Sequence, residues 1–318
     1  MSEPKRQHFV PRFLLRRFAK DGRFVRIYRA SGKANTKASP RSACTIEDFY
    51  TIEDPAEPEP LRVEKKLAAE IETPAALAIE AIVSGEFPPS DEHRAALIAF
   101  VSAQFVRGPD TRNFLNHVMR ALVMNRARKM GRARALADLR QKGFPINADG
   151  TLTKDAMIHM QESAFDLDFA SMRIALIVFE DPALITSDRP VVQWGNIGPD
   201  TPSFGVGIDV PHSVCLHLDP RHALLFVPGD VHVGRWEERR VDGDALHARR
   251  LNERAAAWAF ERVFHDPDHD PLAGIDLTSM KSFDVELRDA LSDPGRTKGA
   301  RRSSSRSQRR KKKARRRK

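Results

Sequence analysis

Cysteine is almost missing from this chain. Cys44 and Cys215 are the only two in 318 residues. They are too few and too far apart for a disulfide framework, and their spacing fits no zinc motif. Two isolated thiols suit a reducing compartment, so a cytoplasmic protein is expected. No apolar run reaches the ~18 residues a membrane span needs. The opening MSEPKRQHFVPRFLLRRFAK has no stretch apolar enough for a secretory signal. These absences predict a soluble intracellular protein. No P-loop, GxGxxG, HExxH or G-x-S-x-G is present. Any cofactor stays unknown, no metal site is predicted, and the oligomeric state stays open.

Acidic residues are missing from one segment. Arg296 to Lys318 holds 14 Lys or Arg and no Asp or Glu, against 53 basic and 43 acidic residues in the whole chain. With those 14 set aside, 39 basic residues face 43 acidic ones, a body charge of −4. The net +10 is therefore a property of the tail. Such a tail says something about partners and nothing about the fold. Its densest part is Arg309, Arg310, Lys311, Lys312, Lys313, Arg315, Arg316, Arg317 and Lys318. These residues are expected to contact nucleic acid or another polyanion. Hydrophobic residues make up 41% of the chain, enough to bury a core, so disorder is expected only in the tail. The expected organisation is one α+β domain over residues 1–290, with a subdomain split near 165 left open, and a disordered polybasic tail over 291–318.

The apolar pattern predicts the elements. His8–Ala19 reads as a short helix with Pro11 in its first turn. Arg23–Tyr28 alternates like a strand, and a second extended piece near Thr45–Ile52 suggests an N-terminal β-hairpin with a long loop. Val63–Val83 is helical, kinked or interrupted at Pro74. Ser90 caps a helix that runs to about Arg107, with Asp91 and Glu92 in its first turn. Asp110 to about Lys142 is a long helical region broken near Gly131. Beyond it, Ile174–Phe179 reads as a buried strand with Ala183–Thr186 and Val191–Trp194 as neighbours. Cys215–Leu218 and Ala223–Val227 form a hairpin, Val231–Trp236 extends it, and Asp244–Phe264 is a closing helix. The fold class is α+β: hairpin, helical middle, then a mostly antiparallel C-terminal sheet closed by a helix.

Several polar residues sit in apolar places. Glu64 lies in line with Leu67, Ala68 and Ile71, and Glu72 falls about 80° round the same helix. On the next helix Gln104 shares a face with Leu97, Phe100 and Val101, with Arg107 roughly 60° away. A buried carboxylate and a buried guanidinium are costly unless paired. Glu64 or Glu72 therefore either pairs with Arg107 and pins two helices, or helps line a ligand pocket. Ser187 and Asp188 stand at a strand end before Pro190. There they either make ordinary turn hydrogen bonds or offer Asp188 as a pocket acceptor or base. Gln7-His8 precedes the first helix, and His8 is either a cap or an acid/base.

These positions coincide with a family pattern. Gln7-His8-Phe9-Val10-Pro11, followed by Phe13, Leu15 and Phe18, resembles the "QHYVPxxYLxxF" start of the bacterial family called domain of unknown function 4238. The resemblance continues through Phe49-Tyr50, Glu64…Glu72, Gln104-x-x-Arg107, the Ile185–Val191 turn and Asn252…Phe264. It thus runs from about Gln7 to His265. It implies a fold and a motif set but no reaction. The family's motifs map onto Gln7, His8, Glu64, Glu72, Gln104, Arg107, Ser187 and Asp188, which implies a shared polar pocket. Arg189 and Phe9 stand where members more often carry Asn and Tyr. The basic tail is not part of the pattern.

Three functions fit these readings. One is nucleic-acid association through the tail. Another is hydrolysis of a phosphodiester-type substrate, in which His8 and Asp188 act as acid and base. Glu64 and Glu72 would then serve as base or metal ligands, Arg107 as the anion clamp, and Gln7, Gln104 and Ser187 as substrate contacts. The third is a scaffold in which the same set is a buried network. Asn147–Gly150 has the residue types of a calcium loop but the wrong register, and reads as a hairpin turn. The Pro-interrupted His265–Asp270 run is a poor preformed metal site. The basic stretch Arg126–Arg140 is either a solvated face or part of the polyanion footprint. It lacks the interleaved aromatics of base stacking.

Overall fold

The computed structural model describes residues 6–163, 172–194, 213–228 and 240–278. Val231–Trp236 and the basic tail from Arg296 lie outside the described residues. In chain order the elements begin with β1 (Arg6–His8), α1 (Arg12–Arg16), β2 (Phe24–Tyr28), β3 (Ala34–Ala38) and β4 (Thr45–Glu47). The helical middle is α2 (Arg62–Lys66), a π-helical turn Leu67–Glu72, α3 (Thr73–Val83), α4 (Asp91–Val106), α5 (Pro109–Met130), α6 (Arg132–Gln141) and α7 (Lys154–Ser163). Then follow β5 (Met172–Val178), β6 (Thr186–Ser187), β7 (Val191–Trp194), β8 (Ser213–Asp219), β9 (His222–Pro228), β10 (Arg240–Asp242), α8 (Ala245–Trp258) and β11 (Arg262–His265). The fold class is α+β, as expected.

Among the described residues the strands form three sheets: β1-β4, a five-stranded sheet in the order β10-β5-β9-β8-β7, and a four-stranded sheet in the order β3-β2-β11-β6. Every pairing is antiparallel except β10 with β5. The five-stranded sheet shows why the strands alternate. Val191, Val214, Leu216, Leu224 and Phe226 join one apolar cluster with α3 and α4 residues such as Ile79 and Phe100. Val192, Cys215 and Ala223 face the other way, against Ala248, Ala255 and Trp258 of α8. A period of two thus splits each strand between two cores. Ile79, Phe100 and Leu216 are fully buried, each contributing about 1.5–3 kcal/mol through burial.

Four expectations are corrected. His8 is in a strand, and α1 starts only at Arg12. Pro11 has the extended ψ of 137° expected of a residue outside the helix. Arg23–Tyr28 does not pair with Thr45–Ile52. β2 pairs with β3 across the short Ser31-Gly32 turn, while β4 pairs with β1. The short turn wins because closing it costs less chain entropy than a long loop. Thr186–Ser187 pairs with β11 in the other sheet, and Val191–Trp194 pairs with β8 at the far edge of its sheet, so neither lies beside β5. The closing helix stops at Trp258, and Arg262–His265 becomes the strand β11 between β2 and β6.

The helical region follows its local signals more closely. Ser90 Oγ accepts from the His93 N–H at 3.2 Å. Gly131, at φ 83°, separates α5 from α6. Asn147–Gly150 is a turn between the bridged residues Ile146 and Leu152. The irregularity near Pro74 falls just before it, as the π turn. Proline has no N–H to give the carbonyl four residues back, and its ring crowds that carbonyl. A widened turn of i→i+5 geometry relieves both problems.

Candidate functional site

The π turn has a consequence for the two glutamates. A π turn advances each residue by roughly 80° instead of 100°, so Glu72 comes round close to the direction of Glu64 instead of 80° away. Glu64 then reaches β1 directly, at Gln7, and Glu72 reaches it through Arg107.

Gln7, in the middle of β1, is fully buried. Its Oε1 accepts from the Tyr50 N–H at 2.5 Å, and its Nε2 donates to Glu64 Oε2 at 2.7 Å and Thr51 Oγ1 at 3.1 Å. One amide therefore ties β1 to the turn after β4 and to α2. Arg107 closes the circuit from the C-terminal end of α4. Its Nη1 donates to Glu72 Oε1 at 2.8 Å, its Nη2 to the His8 carbonyl at 2.6 Å, and its Nε to the Tyr50 hydroxyl at 3.1 Å. The Tyr50 hydroxyl in turn donates to the Arg107 carbonyl at 3.2 Å. Gln104, one turn earlier, donates to the Phe9 carbonyl at 2.9 Å. Gln7, His8, Glu64, Glu72, Gln104 and Arg107 thus come together around β1.

Arg107 is 2% exposed and Glu72 23%, so the network is sealed at the guanidinium and reaches solvent at the carboxylate. Burial works against the charge on Arg107. The Tyr50 oxygen and Glu72 outweigh it and hold the guanidinium above its ordinary range. Burial pushes the Tyr50 hydroxyl up as well. His8 is half-buried, and burial lowers its pKa. Its Nε2 lies 3.1 Å from the Pro40 carbonyl. A carbonyl only accepts, so Nε2 carries the proton and the neutral ring presents Nδ1 as an acceptor.

Ser187 and Asp188 are engaged elsewhere. Ser187 Oγ donates to the Arg189 carbonyl and accepts the Arg189 N–H, at 2.8 and 3.1 Å. This is the turn chemistry of a short hydroxyl. Asp188 Oδ1 accepts from the Phe260 N–H, and Oδ2 from those of Glu261 and Arg262, all at 2.9 Å. Asp188 thereby holds the link between α8 and β11. Burial pushes its carboxyl up to about 7, against the pull of those N–H groups and Arg262. Neither Ser187 nor Asp188 makes a hydrogen bond to a member of the Arg107 network.

Some participants are not singled out by helix or strand periodicity. Tyr50, which the family resemblance includes, and Thr51 enter through the path of a loop. Arg112 donates to Gln161 Oε1 at 2.8 Å and the Phe49 carbonyl at 2.7 Å, and its guanidinium carbon lies 3.5 Å from the centre of the Phe49 ring. Burial brings it down to about 10. Arg189 Nε meets the buried Asp110 at 3.0 Å and stacks over Trp258.

The residues of both loci lie in the stretch that a family model recognises. The model described as protein of unknown function (DUF4238) matches residues 6–269. The chain belongs to this family. The match covers the β1 network, the Asp188 turn and β11, and it stops short of the basic tail. Comparison with curated proteins and with solved structures gives no match in either. Among the described residues no helix is long and apolar enough to cross a membrane. Within the matched stretch, Gln7, Glu64, Glu72, Gln104 and Arg107 are the groups that lash β1 to α2, the π turn and α4.

Proposed function

We propose that this protein is a nucleic-acid-associated scaffold with no reaction of its own. Its basic C-terminal segment holds the phosphodiester backbone, and its α+β body is pinned by the Arg107 network. The observation that carries this reading is the separation of charge: 14 basic and no acidic residues from Arg296 to Lys318, on a body of −4. Binding of that kind releases counterions and is steeply salt-dependent, each phosphate contact adding roughly 0.7–0.9 to the log–log slope. The network supports the scaffold half. Arg107 spends Nε, Nη1 and Nη2 on protein acceptors and is sealed from solvent, which does not suit a substrate clamp. The test replaces the nine basic residues between Arg309 and Lys318 by serine and measures duplex DNA binding against salt. The slope should fall by several units, and an unchanged slope ends this reading.

A second reading, the phosphodiester hydrolase, has one observation in its favour. Glu72 reaches solvent in the same network as His8, whose Nδ1 is an available acceptor. Under it, His8→Gln and Glu64→Gln abolish phosphodiesterase turnover. If the wild type shows no such turnover, or the turnover survives both changes, the hydrolase is excluded.

A further inference from the structure

The basic stretch that follows α4 folds as an antiparallel pair, α5 and α6, joined at Gly131. Residues 120–142 hold eight Lys or Arg and one acidic residue, Asp138. This hairpin of +7 stands on a remaining body of −11, once the tail is also set aside. Much of its charge is answered locally. Arg126 and Lys142 both pair with Asp138, Arg120 pairs with Asp149 at 2.9 Å, and Arg132 and Arg140 donate to the carbonyls of Ala148 and Ile146. Arg128, Lys129 and Arg134 are different. They are exposed, flank the Gly131 joint, and have no partner among the described residues.

Local physics explains only some of this. Arg128 and Lys129 occupy the last turn of α5, where cations favour the helix dipole. Arg132 and Arg134 occupy the first turn of α6, which has no acidic residue and no side-chain cap. There the dipole and the free N–H groups are positive, so both arginines break the local rule. Arg132 is compensated by the Ala148 carbonyl; Arg134 breaks the rule with no local gain, which points to a function. The joint is also firmly mounted. Met119, Val123, Leu136 and Leu139 of the two helices form an apolar cluster with Ile146 and Leu152. Gly131 takes φ 83° and ψ 154°, a conformation close to glycine-only.

We infer that the α5–α6 joint is a second, structured contact for the phosphodiester backbone of nucleic acid, acting together with the tail. This rests on the tail reading above. The contact is to phosphate and not to bases, because the joint offers three cations and a helix N-terminus but no aromatic platform. An anionic membrane is a poorer partner. Arg128 and Lys129 point about 100° apart and Arg132 and Arg134 about 200° apart, and the exposed Met124 and Met130 of α5 lie about 120° apart, so the tip has no single apolar face to bury.

The experiment uses the full chain and two probes, mixed-sequence DNA and RNA duplexes of equal length. Arg128→Gln/Lys129→Gln/Arg134→Gln should lower the salt slope by about 2.7, three contacts at roughly 0.9 each. Arg128→Lys/Arg134→Lys should keep the slope. Removing the same charge from the exposed Arg16, Arg23 and Arg41 should lower it by less than half as much. Melting temperatures should stay within roughly 5 °C of the wild type in every variant, since the dipole terms at Arg128 and Lys129 are small and partly offset at Arg134. The inference fails if the joint variant leaves the slope unchanged or the control triple lowers it equally. It also fails if phosphatidylserine vesicles bind and neither duplex does. If only the tail variant loses binding, the tail reading stands and this one falls. If the wild type binds neither duplex, both fall.

Discussion

Arg107 and Asp188 are both ionisable groups taken out of water, and the fold answers them with different partners. Arg107 is answered by a carboxylate, a hydroxyl and a carbonyl from three separate segments. Asp188 is answered by three consecutive peptide N–H groups and, among the described residues, by no side-chain hydrogen bond. The first solution fastens elements together and ends at a carboxylate that meets solvent. The second shapes one turn and is closed.

The comparison breaks first at Glu72. Arg107 is 2% exposed and Glu72 23%. Removing Glu72 strands a buried cation, whereas removing Arg107 leaves a carboxylate that can turn to water. Glu72→Ala should therefore cost about 3–5 kcal/mol and Arg107→Met less, about 2–3 kcal/mol. Urea unfolding of both variants and of the double mutant measures the asymmetry. Equal costs would mean that Glu72 is not the group that answers the guanidinium.

Asp188 is tested next. Asp188→Ala orphans the N–H groups of Phe260, Glu261 and Arg262 together. The Phe260–Arg262 backbone is only partly screened from water, so the expected cost is about 2–3 kcal/mol instead of the sum of three buried donors. The loss should appear as faster amide exchange in β11 and its neighbour β2. Protection that falls first around β1 would join the two loci into one unit.

How much of this was legible in the sequence follows from the same contrast. Arg107 and its carboxylate showed up because helix periodicity reports a charged residue on an apolar face. The choice of Glu72 over Glu64 did not, because the π turn changes the angular step that the periodicity assumes. The Ser187 turn was legible because its partners are two residues away. The partners of Asp188 are backbone groups more than seventy residues on, and backbone N–H groups have no residue identity to read. β11 was hidden for a related reason. Trp258 and Arg262 are four apart and continue the α8 pattern, while what makes Arg262–His265 a strand is its place between β2 and β6. The tail was the plainest feature of all, since composition alone defines it.

The smallest effect separates the loci by pH. His217, on β8, is buried, and its Nδ1 lies 2.6 Å from the carbonyl of Ile185, just before the Asp188 turn. Burial lowers its pKa from 6.5 to about 4. A histidine lowered on folding contributes stability that is present above 6.5 and is lost as pH falls toward 4. Asp188 works in the opposite sense. With its carboxyl raised from 3.8 to about 7, its contribution is present below 3.8 and is lost as pH rises through 7. The two partly cancel in the wild type, so only a difference isolates the histidine. His217→Asn keeps a donor for the Ile185 carbonyl and removes the titration. From pH 7.5 to pH 5 the wild type should lose about 2 kcal/mol relative to this variant. The same change at His8, which is only half-buried, should have a smaller effect of the same sign. If His8 carried the larger share, the acid-sensitive region would be the β1 network and not the Asp188 turn.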